Sequence, residues 1–159
     1  MLLAVLTVSD RCSQGLVRDA SGPALTAFLR RTWPDAEIQT ALVSDDMAEI
    51  GERLMQWSSQ GAALVLTTGG TGLGPRDWTP EATRRIVDRE APGIAEAMRA
   101  QGAENNPLAW LSRGVAGLRG NTLIVNLPGS PRGAEESLAA ILPLIRHGLE
   151  TIAGTEIHS

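Results

Sequence analysis

Short apolar blocks alternate with amphipathic stretches along the whole chain. Leu2–Val8 reads as a strand apolar on both faces, the pattern of a buried parallel strand. Ser21-Gly22-Pro23 opens a helix to about residue 31, with proline in its first turn. Glu37–Val43 is a second strand, half polar and so nearer an edge. Asp46 and Glu49 form a capping-box-like start to a helix over about 47–59. On that helix Ile50, Leu54 and Trp57 share one face. Residues 62–67 predict a third buried strand, and a glycine-rich loop follows over 69–75. Thr79-Pro80-Glu81 predicts a helix with Thr79 as its cap, running to about residue 89. Ala91-Pro92-Gly93 breaks it, and a short helix resumes over 94–101. A loop over 102–107 and a short helical stretch near 108–112 come next. Residues 115–118 and 122–126 flank Arg119-Gly120-Asn121 as a β-hairpin. Ser130-Pro131 caps a last helix to about residue 152, with Pro143 expected to kink or split it.

This order predicts an α/β fold, a three-layer α/β/α sandwich. Its sheet is mostly parallel with one antiparallel strand. The chain has 159 residues, the size of a single domain, so residues 1–159 are read as one unit. In such sheets ligands bind beyond the carboxyl ends of the strands. Those ends carry Ser9-Asp10-Arg11, Ser44-Asp45-Asp46, Thr67–Gly72 and Asn126–Pro131.

Composition removes several chemistries. There is no lysine, and all 14 cationic side chains are arginine. Schiff-base catalysis, a lysine P-loop and the protein-kinase ion pair are therefore excluded. The net charge of −4 and the scattered arginines point away from nucleic acid. No apolar run approaches the ~20 residues of a membrane span. No basic leader precedes the first strand, which predicts a cytoplasmic protein. The single cysteine, Cys12, makes no internal disulfide.

The loop Gly69-Gly70-Thr71-Gly72 reads either as a tight strand-to-helix turn or as a phosphate cradle of backbone N–H groups. Asp77 reads as a turn acid or as a Mg²⁺ ligand, since hard cations take carboxylate oxygens. Asp46 already serves as a helix cap, so Asp45 is the better candidate for chemistry. Arg76 and Arg113 are candidate phosphate partners. Glu90 at a helix C-terminus conflicts mildly with the helix dipole and hints at a role. His147 and His158 lie far from these loops, so a Ser-His-Asp triad has little support.

Four segments together carry a resemblance. They are Val8-Ser9-Asp10-Arg11 with Ser21-Gly22-Pro23; Thr67-Thr68-Gly69-Gly70-Thr71-Gly72; Pro75-Arg76-Asp77-Trp78-Thr79-Pro80-Glu81; and Asn126-Leu127-Pro128-Gly129-Ser130-Pro131. In this order and spacing, over about residues 3–150, the chain resembles the molybdenum-cofactor biosynthesis family. That family includes the Mog and MoaB proteins and the G domain of gephyrin. The resemblance implies an α/β/α trimer that adenylylates molybdopterin with ATP and Mg²⁺ and releases pyrophosphate. It implies Asp45 and Asp77 as the catalytic, metal-binding acids. It implies a nucleotide and pterin site drawn from Thr68, Gly69, Gly70, Thr71, Gly72, Ser112, Arg113, Asn126, Pro128, Gly129 and Ser130, to which the residue chemistry adds Ser9, Asp10, Arg76 and Glu90. The protein that inserts molybdate is the implied partner. Trp78, where a small aliphatic residue is common, and Ala20 depart from the pattern. The alternatives are a catalytically weak MoaB-like pterin-binding or scaffold protein, a non-catalytic nucleotide-binding module, and a phosphate hydrolase on a similar fold.

Overall fold

A computed structural model describes residues 1–155. Its strands are β1 (Leu2–Val8), β2 (Glu37–Val43), β3 (Leu64–Thr68), β4 (Arg89–Glu90), β5 (Ala116–Arg119) and β6 (Thr122–Leu127). Its helices are α1 (Asp10–Ser13), α2 (Ser21–Thr32), α3 (Met47–Ser59), α4 (Thr79–Ile86), α5 (Pro92–Asn105) and α6 (Pro131–Ala153). A 3-10 turn covers Pro107–Leu111. The strands form one sheet in the order β2-β1-β3-β6-β5-β4. Strands β2, β1, β3 and β6 are parallel, and β5 runs antiparallel to both β6 and β4.

The strands alternate their side chains between two cores, as the twofold strand period requires. Leu3, Val5, Leu64, Leu66, Leu123 and Val125 pack with Leu25 and Leu29 of α2, Met98 of α5, and Leu138, Ile141 and Ile145 of α6. Ala4, Leu6, Val65 and Ile124 face the other way, against Ile50, Leu54 and Trp57 of α3 and Ala82 and Ile86 of α4. This is the three-layer sandwich the pattern predicts. Each fully buried leucine contributes ~1.5–3 kcal/mol. The two-sided sheet therefore holds the strand ends firmly while the loops beyond them stay available for chemistry.

Several local expectations are corrected. The second polar edge is β4: Arg89 and Glu90 pair with Leu118 and Gly117, so α4 stops at Ile86 rather than near residue 89. The ladder on β5 outcompetes one more helical turn. Pro92 opens α5 instead of breaking a helix, because its missing N–H costs nothing in the first turn. The helix then runs on through residues read as a loop, to Asn105. Helix α6 continues past Pro143 as one element. Thr79 does not cap α4: its hydroxyl donates instead to the Gly69 carbonyl, 3.0 Å away. Asp46 caps α3 as expected, but Glu49 does not close the box and instead accepts from the Ser44 hydroxyl. The short helix α1 was not foreseen. His158 lies outside the described residues.

Candidate functional site

Strands β1 and β3 are neighbours, yet the chain leaves them toward opposite faces. After β1 it reaches α2 in one core, and after β3 it reaches α4 in the other. A crevice opens where connections diverge in this way. Gly69 (φ +101°) and Gly70 (φ +68°) turn the chain there. A Cβ on Gly69 would strike the Val8 carbonyl, and one on Gly70 would strike the Thr79 hydroxyl. Only glycine fits both positions. Thr79 then closes the turn, its N–H donating to the Gly70 carbonyl at 3.1 Å. The N–H groups of Gly70, Thr71 and Gly72 find no acceptor among the described residues. Three adjacent free amides make an anion cradle.

The two acids approach this cradle from different elements. Asp45 and Asp10, at the ends of β2 and β1, exchange hydrogen bonds. The Asp10 N–H donates to Asp45 Oδ2 at 2.8 Å, and the Asp45 N–H donates to Asp10 Oδ1 at 3.0 Å. Asp45 therefore has a structural role as well, contrary to the sequence reading. Arg76 grips Asp10 with two hydrogen bonds, at 2.9 and 3.0 Å. That pairing, with the Asp45 N–H, holds the Asp10 carboxyl below the usual range. Burial pushes Asp45 upward, and the like charges of Asp10 and Asp77 push it further, while the Asp10 N–H opposes them. Asp77 accepts from the Gly74 N–H through Oδ2 at 2.8 Å. Its carboxylate lies against Gly72 and Gly74, where a Cβ would sit 3.0 and 2.9 Å from Oδ2.

Arg113 does not offer its guanidinium to the crevice. Nε donates to the Gly72 carbonyl (2.8 Å), one terminal nitrogen to Glu81 (2.7 Å), and the other to the Asp77 carbonyl (2.8 Å). Asn126 is also withdrawn. Its side chain is fully buried, donating to the Thr67 and Thr83 hydroxyls at 3.0 Å and accepting from Val115 N–H. It pins β6 to β3 and α4, and only its successors Pro128, Gly129 and Ser130 reach the cleft. Glu90 stands apart on exposed β4 beside Arg84, 3.5 Å away, in a separate depression. Thr68 is buried and donates to the Pro128 carbonyl at 2.6 Å, tying the two glycine segments together. Ser9 caps α1, and Ser112 accepts from Gly114 N–H. Trp78, one of the departures from the family pattern, is 40% exposed.

The cleft beside the glycine loop has a volume of about 420 Å³. Its polar wall is Gly70, Thr71, Gly72, Asp77 and Ser112 with the turn Pro128–Ser130, and its opposite wall is Met98, Leu108, Ala109 and Leu111. A second hollow of about 310 Å³ lies across Gly69 and Gly129 and contains Ser9, Arg11, Arg18 and Thr68. Sequence reasoning gave Arg99 no role and read Thr79 and Glu81 only as the start of a helix. Arg99 donates to the Ser112 and Gly114 carbonyls at 3.3 and 2.9 Å. No local signal marks Glu81 or Arg99, because their partners are distant in the chain.

The donor set suits a magnesium ion. Asp45 and Asp77 each have one oxygen held by a backbone N–H and the other without a hydrogen-bond partner among the described residues. No three His, Cys, Asp or Glu side chains gather as a metal cage among the described residues. Two carboxylates completed by water and phosphate oxygens are the usual shell for Mg²⁺.

Comparison with known proteins gives concordant results. The family profile described as "Probable molybdopterin binding domain" matches residues 4–147. The molybdopterin adenylyltransferase of Haemophilus influenzae is 41% identical over 141 residues, covering 87% of this chain and 72% of that protein. The molybdenum cofactor synthesis protein cinnamon of Drosophila melanogaster is 38% identical over 93% of this chain. The chain spans only 25% of cinnamon's length, and 22% and 47% of its relatives from Dictyostelium discoideum and Synechococcus elongatus. The crystal structure of the molybdopterin biosynthesis enzyme MoaB from Thermus thermophilus superposes with a TM-score of 0.89, at 48% identity and 96% coverage of each chain.

Proposed function

Since the chain belongs to the molybdenum-cofactor biosynthesis family of molybdopterin-binding domains, we propose that it is a molybdopterin adenylyltransferase. It transfers AMP from ATP to molybdopterin and releases pyrophosphate. One observation carries this reading beyond the family. Three unpaired backbone amides, at Gly70–Gly72, lie beside two carboxylates from separate elements, Asp45 and Asp77. Amides alone would serve any anion. Amides beside paired acids suit a phosphate chain that travels with a divalent cation.

The reaction joins two anions. A terminal phosphate oxygen of molybdopterin attacks the α-phosphorus of ATP. A new P–O bond forms, the bond to the β-phosphate breaks, and its electrons leave with pyrophosphate. The nucleophile is already anionic, so no general base is required. This accounts for a site with neither lysine nor histidine. Such chemistry depends on positioning and charge stabilisation. The loop amides align the phosphates, and Arg76 lies near enough to Asp10 and Asp45 to contribute a mobile positive charge. Met98, Leu108 and Leu111 give the cleft apolar surface on which a ring system could rest. Asp45 and Asp77 would hold Mg²⁺, which offsets the repulsion between the two phosphates.

The reading brings with it a homotrimer in the cytoplasm, a single domain over 1–159, and the molybdate-inserting protein as the next partner. No helix among the described residues is long and apolar enough to cross a membrane. The test mixes purified protein with molybdopterin, ATP and Mg²⁺. Adenylyl-molybdopterin and pyrophosphate that require both substrates support the transferase. Pterin binding without product supports a MoaB-like binding protein, and pyrophosphate or phosphate from ATP alone supports a hydrolase. Sedimentation reads the trimer.

A further inference from the structure

We infer that Arg113 and Glu81 are positioning residues that set the geometry of Asp77 through the glycine loop, without touching substrate. The inference rests on the transferase reading for its kinetic consequence, but its structural basis is independent. The segment from Gly69 to Trp78 contains four glycines, so it has much conformational freedom to lose on ordering. Something must hold it in one shape.

Arg113 does so from outside the loop. Its backbone N–H donates to the Thr71 carbonyl at 2.8 Å. Its guanidinium reaches the Gly72 and Asp77 carbonyls, both at 2.8 Å. One residue thus fastens the loop at three carbonyls, the last belonging to the acid itself. Glu81, on the first turn of α4, takes the remaining guanidinium nitrogen at 2.7 Å and sets the plane of the group. The other Glu81 oxygen is buried without a partner among the described residues. An unmade bond at a buried oxygen is a cost, and pair formation alone does not account for it. Arg99 braces the same segment by donating to the carbonyls of Ser112 and Gly114, the two neighbours of Arg113. The resulting chain of contacts runs from α5 through Arg113 to Asp77. A lysine could not replace Arg113, because a single ammonium lacks the planar fork that serves three directions.

The test compares Arg113→Lys, Glu81→Gln and Asp77→Asn with the doubles that combine each of the first two with Asp77→Asn. We expect kcat to fall roughly 10- to 100-fold in Arg113→Lys, as a misplaced reacting group predicts. The ATP dissociation constant, read by calorimetry without turnover, stays within about twofold. In the Asp77→Asn background the Arg113 substitution then adds less than about twofold, the non-additivity of residues that act as one unit. Hydrogen exchange of the Gly74 and Asp77 amides, both hydrogen-bonded within the loop, rises in Arg113→Lys and in Glu81→Gln while core amides are unchanged. Glu81→Gln, at a partly exposed position, keeps the test alive if Arg113→Lys folds poorly. Additive losses, a weakened ATP affinity with kcat retained, or unchanged exchange in the loop would each overturn the inference. If wild-type protein makes no adenylylated product, the transferase reading fails. Loop exchange and ATP affinity then still decide whether Arg113 positions the loop or binds ligand.

Discussion

Arg76, on the glycine loop, and Arg113, which fastens that loop, are held in opposite ways. Arg76 sits on the loop surface with a side chain 61% exposed, and both of its hydrogen bonds go to one carboxylate, Asp10. Arg113 is less exposed, at 36%, and its three nitrogens go to three different groups on two elements. A pair whose arginine is this exposed adds little to stability, because water and salt compete for its partners. A phosphate can therefore take Asp10's place on Arg76 with little disturbance to the fold. Arg113 has no such freedom, since its release would untie Gly72, Asp77 and Glu81 together. Residue type alone would class the two as equal phosphate partners. Their surroundings separate a side chain able to exchange partners from one built into the frame.

The largest expected effects concern the acids that these arginines serve. Asp77→Ala should cut turnover roughly 100- to 1000-fold, the scale of losing one transition-state stabiliser. Circular dichroism and sedimentation should be unchanged. Asp45→Ala should slow single-turnover adenylylation more than it weakens pterin binding. A collapse of pterin affinity with the rate retained would make Asp45 a binding residue. Arg76→Gln should come next. It should raise the KM for ATP by about fivefold to tenfold, with the melting temperature unmoved. An equal loss of stability in Arg76→Gln and Arg113→Gln would remove the contrast drawn above.

The smallest expected effect is in pH. Arg113 holds the Glu81 carboxyl below its ordinary 4.5. A carboxylate lowered on folding stabilises the protein above its unfolded pKa, and that contribution fades as pH falls through the lowered folded value. The stability difference between wild type and Glu81→Gln should therefore be flat above about pH 5.5 and shrink in more acidic solution. Asp10 is lowered by Arg76 in the same direction, but its arginine is the more exposed of the two, at 61% against 36% for Arg113. Asp10→Asn should show a smaller difference, and added salt should erase it. Equal salt sensitivity of the two differences would mean that both pairs behave as surface pairs.

Much of the frame was legible along the chain. β1 and β2 match the read strands residue for residue, and Asp46 and Ser130 cap the helices they precede. These signals are local: an apolar run, a capping side chain, a proline in a first turn. Errors cluster where a local preference met a distant competitor. Helix α4 lost its last turn because β5 offered Arg89 and Glu90 a ladder. Thr79 lost its capping role because the Gly69 carbonyl arrived from the preceding loop. Asn126 was legible as special but misread in role. A buried amide between two threonine hydroxyls looks the same in sequence as an amide aimed at a ligand.

By itself the sequence determined the alternating α/β order, the strand ends that carry the chemistry, the glycine turn, and the absence of lysine that rules out amine catalysis. All of these depend on residues a few positions apart, where periodicity, capping and φ preference operate. The tertiary structure alone decided how each arginine is held, which acids converge, and what holds the loop still. Arg113 lies 41 residues from Gly72 and 32 from Glu81, and Asp10 lies 35 from Asp45. Separations of that size are closed by sheet order and by the packing of α3 and α4 on one face, which no local pattern encodes.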